Sequence, residues 1–219
     1  MKLSIRAVIL SIFLLTITVG GSIVYASEEN GFSKSRIVIM SVDIDSISNG
    51  NDAAIFESLT GILSTLQPGE NFYFSTMDDP ELFLGPFEAG SRNFIDYRSL
   101  FAEKINAYAS ENVINLPEVM SQAYNIMGKE SAPAGSTLYL LGQREVPTDP
   151  EYTARRLDPI AEMFTTNGWT ITGITPANAD PSIIYILDRI ATKTGSMRYE
   201  LTIDDALQNI TNKIMTRDS

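Results

Sequence analysis

The sequence predicts an α/β domain, a three-layer, doubly wound, mostly parallel sheet flanked by helices, behind an apolar N-terminal segment. Two observations carry the fold class. Short apolar runs of strand length, such as Arg36–Val42 (RIVIMSV) and Thr137–Leu141 (TLYLL), lack the alternation of a half-exposed strand and read as strands buried on both faces. Between several of them lie stretches with apolar residues at helical spacing, the alternation that builds a parallel sheet covered on two sides.

The elements follow in order. Arg36–Val42 is the first strand and ends in the polar stretch Asp43-Ile44-Asp45-Ser46-Ile47-Ser48-Asn49-Gly50. A helix capped by Asn51 or Asp52 follows, with Ile55, Leu59, Ile62, Leu63 and Leu66 on one face and Pro68-Gly69 as its stop. Asn71–Met77 and Leu82–Phe87 are two strands joined by the turn residues Asp78-Asp79-Pro80. Tyr97, Leu100, Phe101, Ile105 and Tyr108 mark a helix over Asp96–Ala109. Asn115 opens another, with Glu118 in near capping-box relation, Pro117 in the first turn, and Leu116, Val119, Met120, Ala123 and Met127 as its inner face. Beyond the strand Thr137–Leu141, a helix runs through Leu157, Ile160, Ala161 and Phe164 to Gly168, and Trp169–Thr175 is a strand. Ile183, Ile186, Leu187, Ile190 and Ala191 mark a helix closed by Gly195, Met197–Leu201 is a last strand, and Asp204 caps a final helix through Leu207, Ile210 and Ile214. The domain is therefore expected over residues 36–215, after a polar linker at 27–35.

The first 26 residues read as a targeting segment: Lys2 and Arg6 at the start, an uncharged apolar run from Ala7 to Val19, then Gly20–Gly21 and Ala26 before Ser27-Glu28-Glu29. Two outcomes stay open, a signal peptide cut after Ala26 or an uncleaved membrane anchor, because the uncharged run from Ala7 to Ser27 is long enough to span a bilayer. The Gly pair and the Ala26 exit favour cleavage. Either way the domain is expected outside the cytoplasm, with membrane contact only through this segment. No cysteine follows, which excludes a lipoprotein anchor.

Composition narrows the chemistry. The chain has no histidine and no cysteine, which excludes the Ser-His-Asp relay, imidazole acid–base catalysis, thiol nucleophiles and Cys-ligated metals. The first 26 residues hold two of the 16 bases and none of the 27 acids, so the remainder carries a formal charge of about −13 and repels polyphosphate. Nucleic acid is therefore not an expected partner. Asp78-Asp79, Asp149 and Asp180 read as turn residues beside prolines, Phe72, Tyr73 and Phe74 as core and sheet surface, and Trp169 as a packing residue. The sequon Asn209-Ile210-Thr211 falls inside a predicted helix.

Ligands of such sheets bind beyond the carboxyl ends of the strands, where strand order reverses. The loop holding Asp43, Asp45, Ser46 and Ser48 offers hard oxygen donors of the kind that bind Mg²⁺ or Ca²⁺, although Asp, Ser and Asn are also ordinary loop residues. Here the chain resembles the von Willebrand factor A domains, from Arg36 to Ile214. RIVIMSVDIDSIS is similar to the buried strand and Asp-x-Ser-x-Ser loop that begin the family's metal-ion-dependent adhesion site, with Asp43 as the leading Asp. Gly168–Ile174 resembles its penultimate strand, and Leu187–Ser196 (LDRIATKTGS) its L-x-x-I-A-x-x-T-G-G helix end.

The resemblance implies a domain that engages proteins through the loops at the carboxyl edge of its sheet. It also implies a degenerate metal site. Asp45 and Ile47 stand in place of the two serines, Ile114 before Asn115 in place of the metal-site Thr, and Gln143 in place of the second Asp, with the cation Arg144 beside it. Of the family's ligand positions only Asp43 is kept outright. No cofactor is expected, with weak Mg²⁺ or Ca²⁺ binding at Asp43 and Asp45 left open. The expected function is a non-enzymatic, exported protein-binding module using Asp43, Asp45, Ser46, Ser48, Ile114, Asn115, Gln143 and Arg144. Its alternatives are a carboxylate-dependent hydrolase and a structural subunit of a membrane-anchored surface complex.

Overall fold

A computed structural model describes residues 35–43, 61–63, 65–79, 82–91 and 113–201. The targeting segment, Asp45, Ser46, Ser48, the helix over Asp96–Ala109, the final helix with its sequon, and most of the helix through Ile55 and Leu59 lie outside the described residues.

Six strands form one sheet in the order β3-β2-β1-β4-β5-β6. They are β1 (Ile37–Val42), β2 (Asn71–Thr76), β3 (Phe83–Glu88), β4 (Thr137–Leu141), β5 (Thr170–Pro176) and β6 (Arg198–Leu201). All pairings are parallel except β2 with β3, which is antiparallel. The three described helices of more than one turn are α1 (Leu116–Lys129), α2 (Pro150–Thr166) and α3 (Pro181–Lys193).

Side chains leave a strand to alternate faces, so a fully apolar strand feeds two cores. Ile37 and Ile39 of β1, Leu138 and Leu140 of β4, and Ile171 of β5 pack with the inner faces of α1, α2 and α3. Val38, Met40 and Val42 turn the other way, to Phe72, Phe74, Tyr139, Leu141, Ile174 and Ile62. Residues 61–63 are helical and cover this second face together with Leu66. The doubly wound α/β architecture expected from the apolar runs is the one present.

Helix α1 starts as its sequence dictates. The Asn115 side chain accepts a hydrogen bond from the Glu118 N–H at 3.3 Å, and Pro117 sits in the first turn, where no intrahelical donor is needed. Helix α2 begins earlier than its apolar stripe suggests. Asp149 caps it by accepting from the Tyr152 N–H at 2.7 Å, Pro150 occupies the first turn, and the interior Pro159 lies on the exposed face. Asp180 caps α3 in the same way, accepting from the Ser182 N–H at 2.8 Å. Helix α3 crosses close to the sheet: a Cβ on Gly142 would lie 2.9 Å from Ile183 Cγ1, and one on Gly173 2.9 Å from Leu187 Cβ. No larger residue fits there without displacing the helix that positions the carboxyl edge.

Candidate functional site

The chain winds from β1 to β2 on one side and places β4, β5 and β6 on the other, so strand order reverses at β1. In open α/β sheets the crevice outside the carboxyl ends at such a reversal is where ligands bind. Three backbone bonds carry the ladder past the strand ends. Asp43 N–H donates to Leu141 O at 2.8 Å, Met77 N–H to Val42 O at 2.9 Å and Gly142 N–H to Ile174 O at 3.1 Å. Residues 43, 77–78 and 142–144 are thereby delivered to one rim.

At this rim the Asp43 side chain is wholly buried. Its Oδ2 accepts from the backbone N–H groups of Gln143 at 3.3 Å and Arg144 at 3.0 Å, and its Oδ1 from Arg144 Nε at 2.6 Å. The same guanidinium donates through Nη2 to Asp78 Oδ2 at 2.8 Å. The carboxylate side chains are 0% exposed and that of Arg144 25%. Two carboxylates from the ends of neighbouring strands are thus bridged by one guanidinium, whose planar fork holds both at once.

The loop that carries Arg144 is fixed from the far side by the start of α3. Asp180 N–H donates to Gln143 O at 2.8 Å, and Val146 N–H donates to Ser182 Oγ at 3.0 Å. The Asp180 carboxylate, which caps α3, also accepts from Ser182 Oγ at 2.5 Å. A residue read as a plain turn former therefore orients the site loop at one remove.

Of the residues singled out from sequence, Asp43, Gln143 and Arg144 come together. Asn115 lies beside them, since its N–H donates to Met77 O at 3.0 Å, next to Asp78. Ile114 is buried in the apolar cluster that holds Met77 and Leu116. Asp45, Ser46 and Ser48 fall outside the described residues. The rim carboxylate that sequence reading missed is Asp78. The signal was present, because a carboxylate at the end of a strand beside β1 must reach the same rim, but it needed the strand order.

No protein-family model matches the chain, and no curated protein matches it in sequence. Solved structures do match in fold. A von Willebrand factor type A protein from Catenulispora acidiphila aligns with TM-score 0.59 and 15% identity, over 83% of this chain and 42% of that one. The manganese-loaded TRAP protein of Plasmodium vivax aligns with TM-score 0.55 and 13% identity, over 83% of this chain and 74% of that one. The pilus adhesin SpaC of Lactobacillus rhamnosus GG aligns with TM-score 0.60 and 8% identity, over 87% of this chain and 31% of that one. The chain thus spans less than half the length of the Catenulispora and Lactobacillus structures. At these identities the likeness is one of architecture: the domain has a von Willebrand factor A-like fold.

Proposed function

We propose that the chain is an exported, non-enzymatic protein-interaction module that uses the rim around Asp43 and Arg144 and works without a complete metal site. The observation that carries this reading is the bridge itself. Both buried carboxylates at the switch point of the sheet are bound by Arg144, and Asp43 also holds its neighbours' backbone N–H groups.

A divalent ion, such as the family's complete adhesion site holds, does not fit the described residues. A guanidinium bridges the carboxylates, and the apolar side chain of Ile114 carries no oxygen. The same bridge argues against hydrolysis, because among the described residues the hydrogen bonds of Asp43 and Asp78 run to Arg144 and to backbone N–H groups rather than to a nucleophile. Recognition then rests on loop shape and charge. Two carboxylates with one guanidinium keep a formal charge of about −1, in a chain of net charge −11, which favours a basic patch on a protein partner and disfavours nucleic acid. Membrane contact is confined to the N-terminal segment.

The test is a photoreactive side chain at Gln143, compared with one at Ala134 on the opposite edge, in the full chain expressed in its own cells. Discrete protein adducts from Gln143 only, surviving a chelator, are expected; equal labelling from both edges would refute the reading. A mature chain beginning at Ser27 would support export with cleavage.

A further inference from the structure

We propose that Arg144 is the resident cation of the carboxyl edge, doing for two buried carboxylates what a bound metal ion does where such groups have no basic side chain. Buried charges are paired with an opposite charge or coordinate a metal, because leaving them unpaired in a poorly solvated place is costly. Asp43 and Asp78 are side by side at the ends of β1 and β2, wholly buried, and their shared counter-ion is one guanidinium at 2.6 Å and 2.8 Å. That cation is covalently attached and stays protonated at every physiological pH, so it can be neither chelated nor diluted. The backbone is built around it. Asp43 Oδ2 holds the N–H groups of Gln143 and Arg144, while Asp180 and Ser182 fix the loop from the other side.

The consequence is an edge that is assembled whatever the supply of divalent ions. Deleting the guanidinium leaves two adjacent carboxylates at the mouth of the sheet, enough with water to hold a small oxygen-loving cation. A single substitution therefore exchanges one class of cation for the other.

This inference rests on the metal-free reading of the edge and is independent of whether a protein partner docks there. The full chain, purified in mild detergent, is melted with and without Mn²⁺ as the parent and as Arg144→Ala. The parent is expected to melt at one temperature in both conditions. Arg144→Ala is expected to melt lower and to regain part of the loss in Mn²⁺, and in calorimetry to bind Mn²⁺ at least about tenfold more tightly than the parent. An Arg144→Ala chain that ignores Mn²⁺, or stays unfolded with Mn²⁺ present, overturns the proposal. So does a parent that binds Mn²⁺ and loses that binding on Asp43→Asn, a measurement that needs no destabilised variant. Absence of crosslinks from Gln143 would remove the partner and leave the resident cation standing.

Discussion

The two rims of the sheet are closed by different chemistry. At the amino rim the described closing groups include neutral hydroxyls and the ion pair of Arg36 with Glu70. Ser136 Oγ accepts from the Ile37 N–H at 3.1 Å, Thr194 Oγ1 accepts from the Ile171 N–H at 2.8 Å, and Thr137 and Thr170 share a hydrogen bond at 3.0 Å. Arg36 meets Glu70 through two bonds of 2.9 Å and 3.3 Å, with both side chains partly exposed. Tyr124, Phe164 and Trp169 pack there, and the Trp169 ring N–H donates to Ala132 O at 3.2 Å. At the carboxyl rim Asp43 and Asp78 both bond Arg144, and both carboxylates are out of solvent. A rim that only has to end a sheet can be finished with hydroxyls and a partly exposed pair. One that buries two neighbouring carboxylates carries a cost that folding alone does not require, and it lies at the switch point where binding is expected.

The sharpest way to break this contrast is Arg144→Ala. It takes the guanidinium away from two buried carboxylates, and removing one partner of a buried ion pair costs about 3–5 kcal/mol, a large part of the stability of an ordinary domain. Urea unfolding of the full chain measures it. A loss below about 1 kcal/mol would place the carboxyl rim in the same energetic class as the amino rim. Asp78→Asn is milder. It keeps an acceptor for Arg144 Nη2 and leaves the ion pair of the guanidinium with Asp43 in place, so a loss of about 1–2 kcal/mol is expected. Should Asp78→Asn stabilise the chain instead, the second carboxylate is retained for binding at the expense of folding.

Much of this was legible in the sequence, and the gaps have physical reasons. Strand β4 has the bounds that its apolar run predicts, and β1, β2, β3, β5 and β6 lie within a residue of theirs, because buried runs bounded by polar residues are a local signal. Gly168 and Gly195 end α2 and α3 with φ of 71° and 73°, as glycines past a helix do. Helix α2 is longer than its stripe because Pro150 lies at a helix start, where proline is favoured. At the site, Asp43 was readable from local pattern and Gln143 and Arg144 from the family resemblance, and the structure sets Arg144 against Asp43. Its second partner was not readable, since Asp78 lies 66 residues away and the sequence Asp-Asp-Pro is also what a turn looks like. A bond across neighbouring strands becomes visible only when the order of the strands is known.

The amino rim offers the next comparison. Arg36→Ala removes both bonds to Glu70, but the freed carboxylate can reach water and also accepts from the Gln67 N–H at 2.8 Å. A loss of about 1 kcal/mol is expected, reduced by added salt, in contrast to the salt-insensitive loss for Arg144→Ala. Equal salt dependence for the two variants would remove the distinction between a solvated pair and a buried one.

The smallest effect belongs to the ionic network between α2 and α3, which calibrates the other two. Asp158 bonds Arg189 at 2.7 Å and 3.3 Å, with Lys193 at 3.6 Å, and Lys193 also reaches Glu162 at 2.8 Å. The hydrogen bond from Arg189, then the charge of Lys193, hold the Asp158 carboxyl below its ordinary value of 3.8, against the opposing pull of partial burial. A group whose folded pKa is depressed adds stability that is complete above its unfolded pKa and is lost as pH falls through the folded one. Asp158→Asn should therefore cost at most about 1 kcal/mol near neutral pH, and the gap between variant and parent should close as the parent is taken below its ordinary carboxylate range. Urea midpoints of both chains between neutral and strongly acid pH would show it. A gap that stays open in acid would mean that the amide disturbs helix packing, and the network would lose its standing as the solvated reference against which the buried bridge at Arg144 is judged.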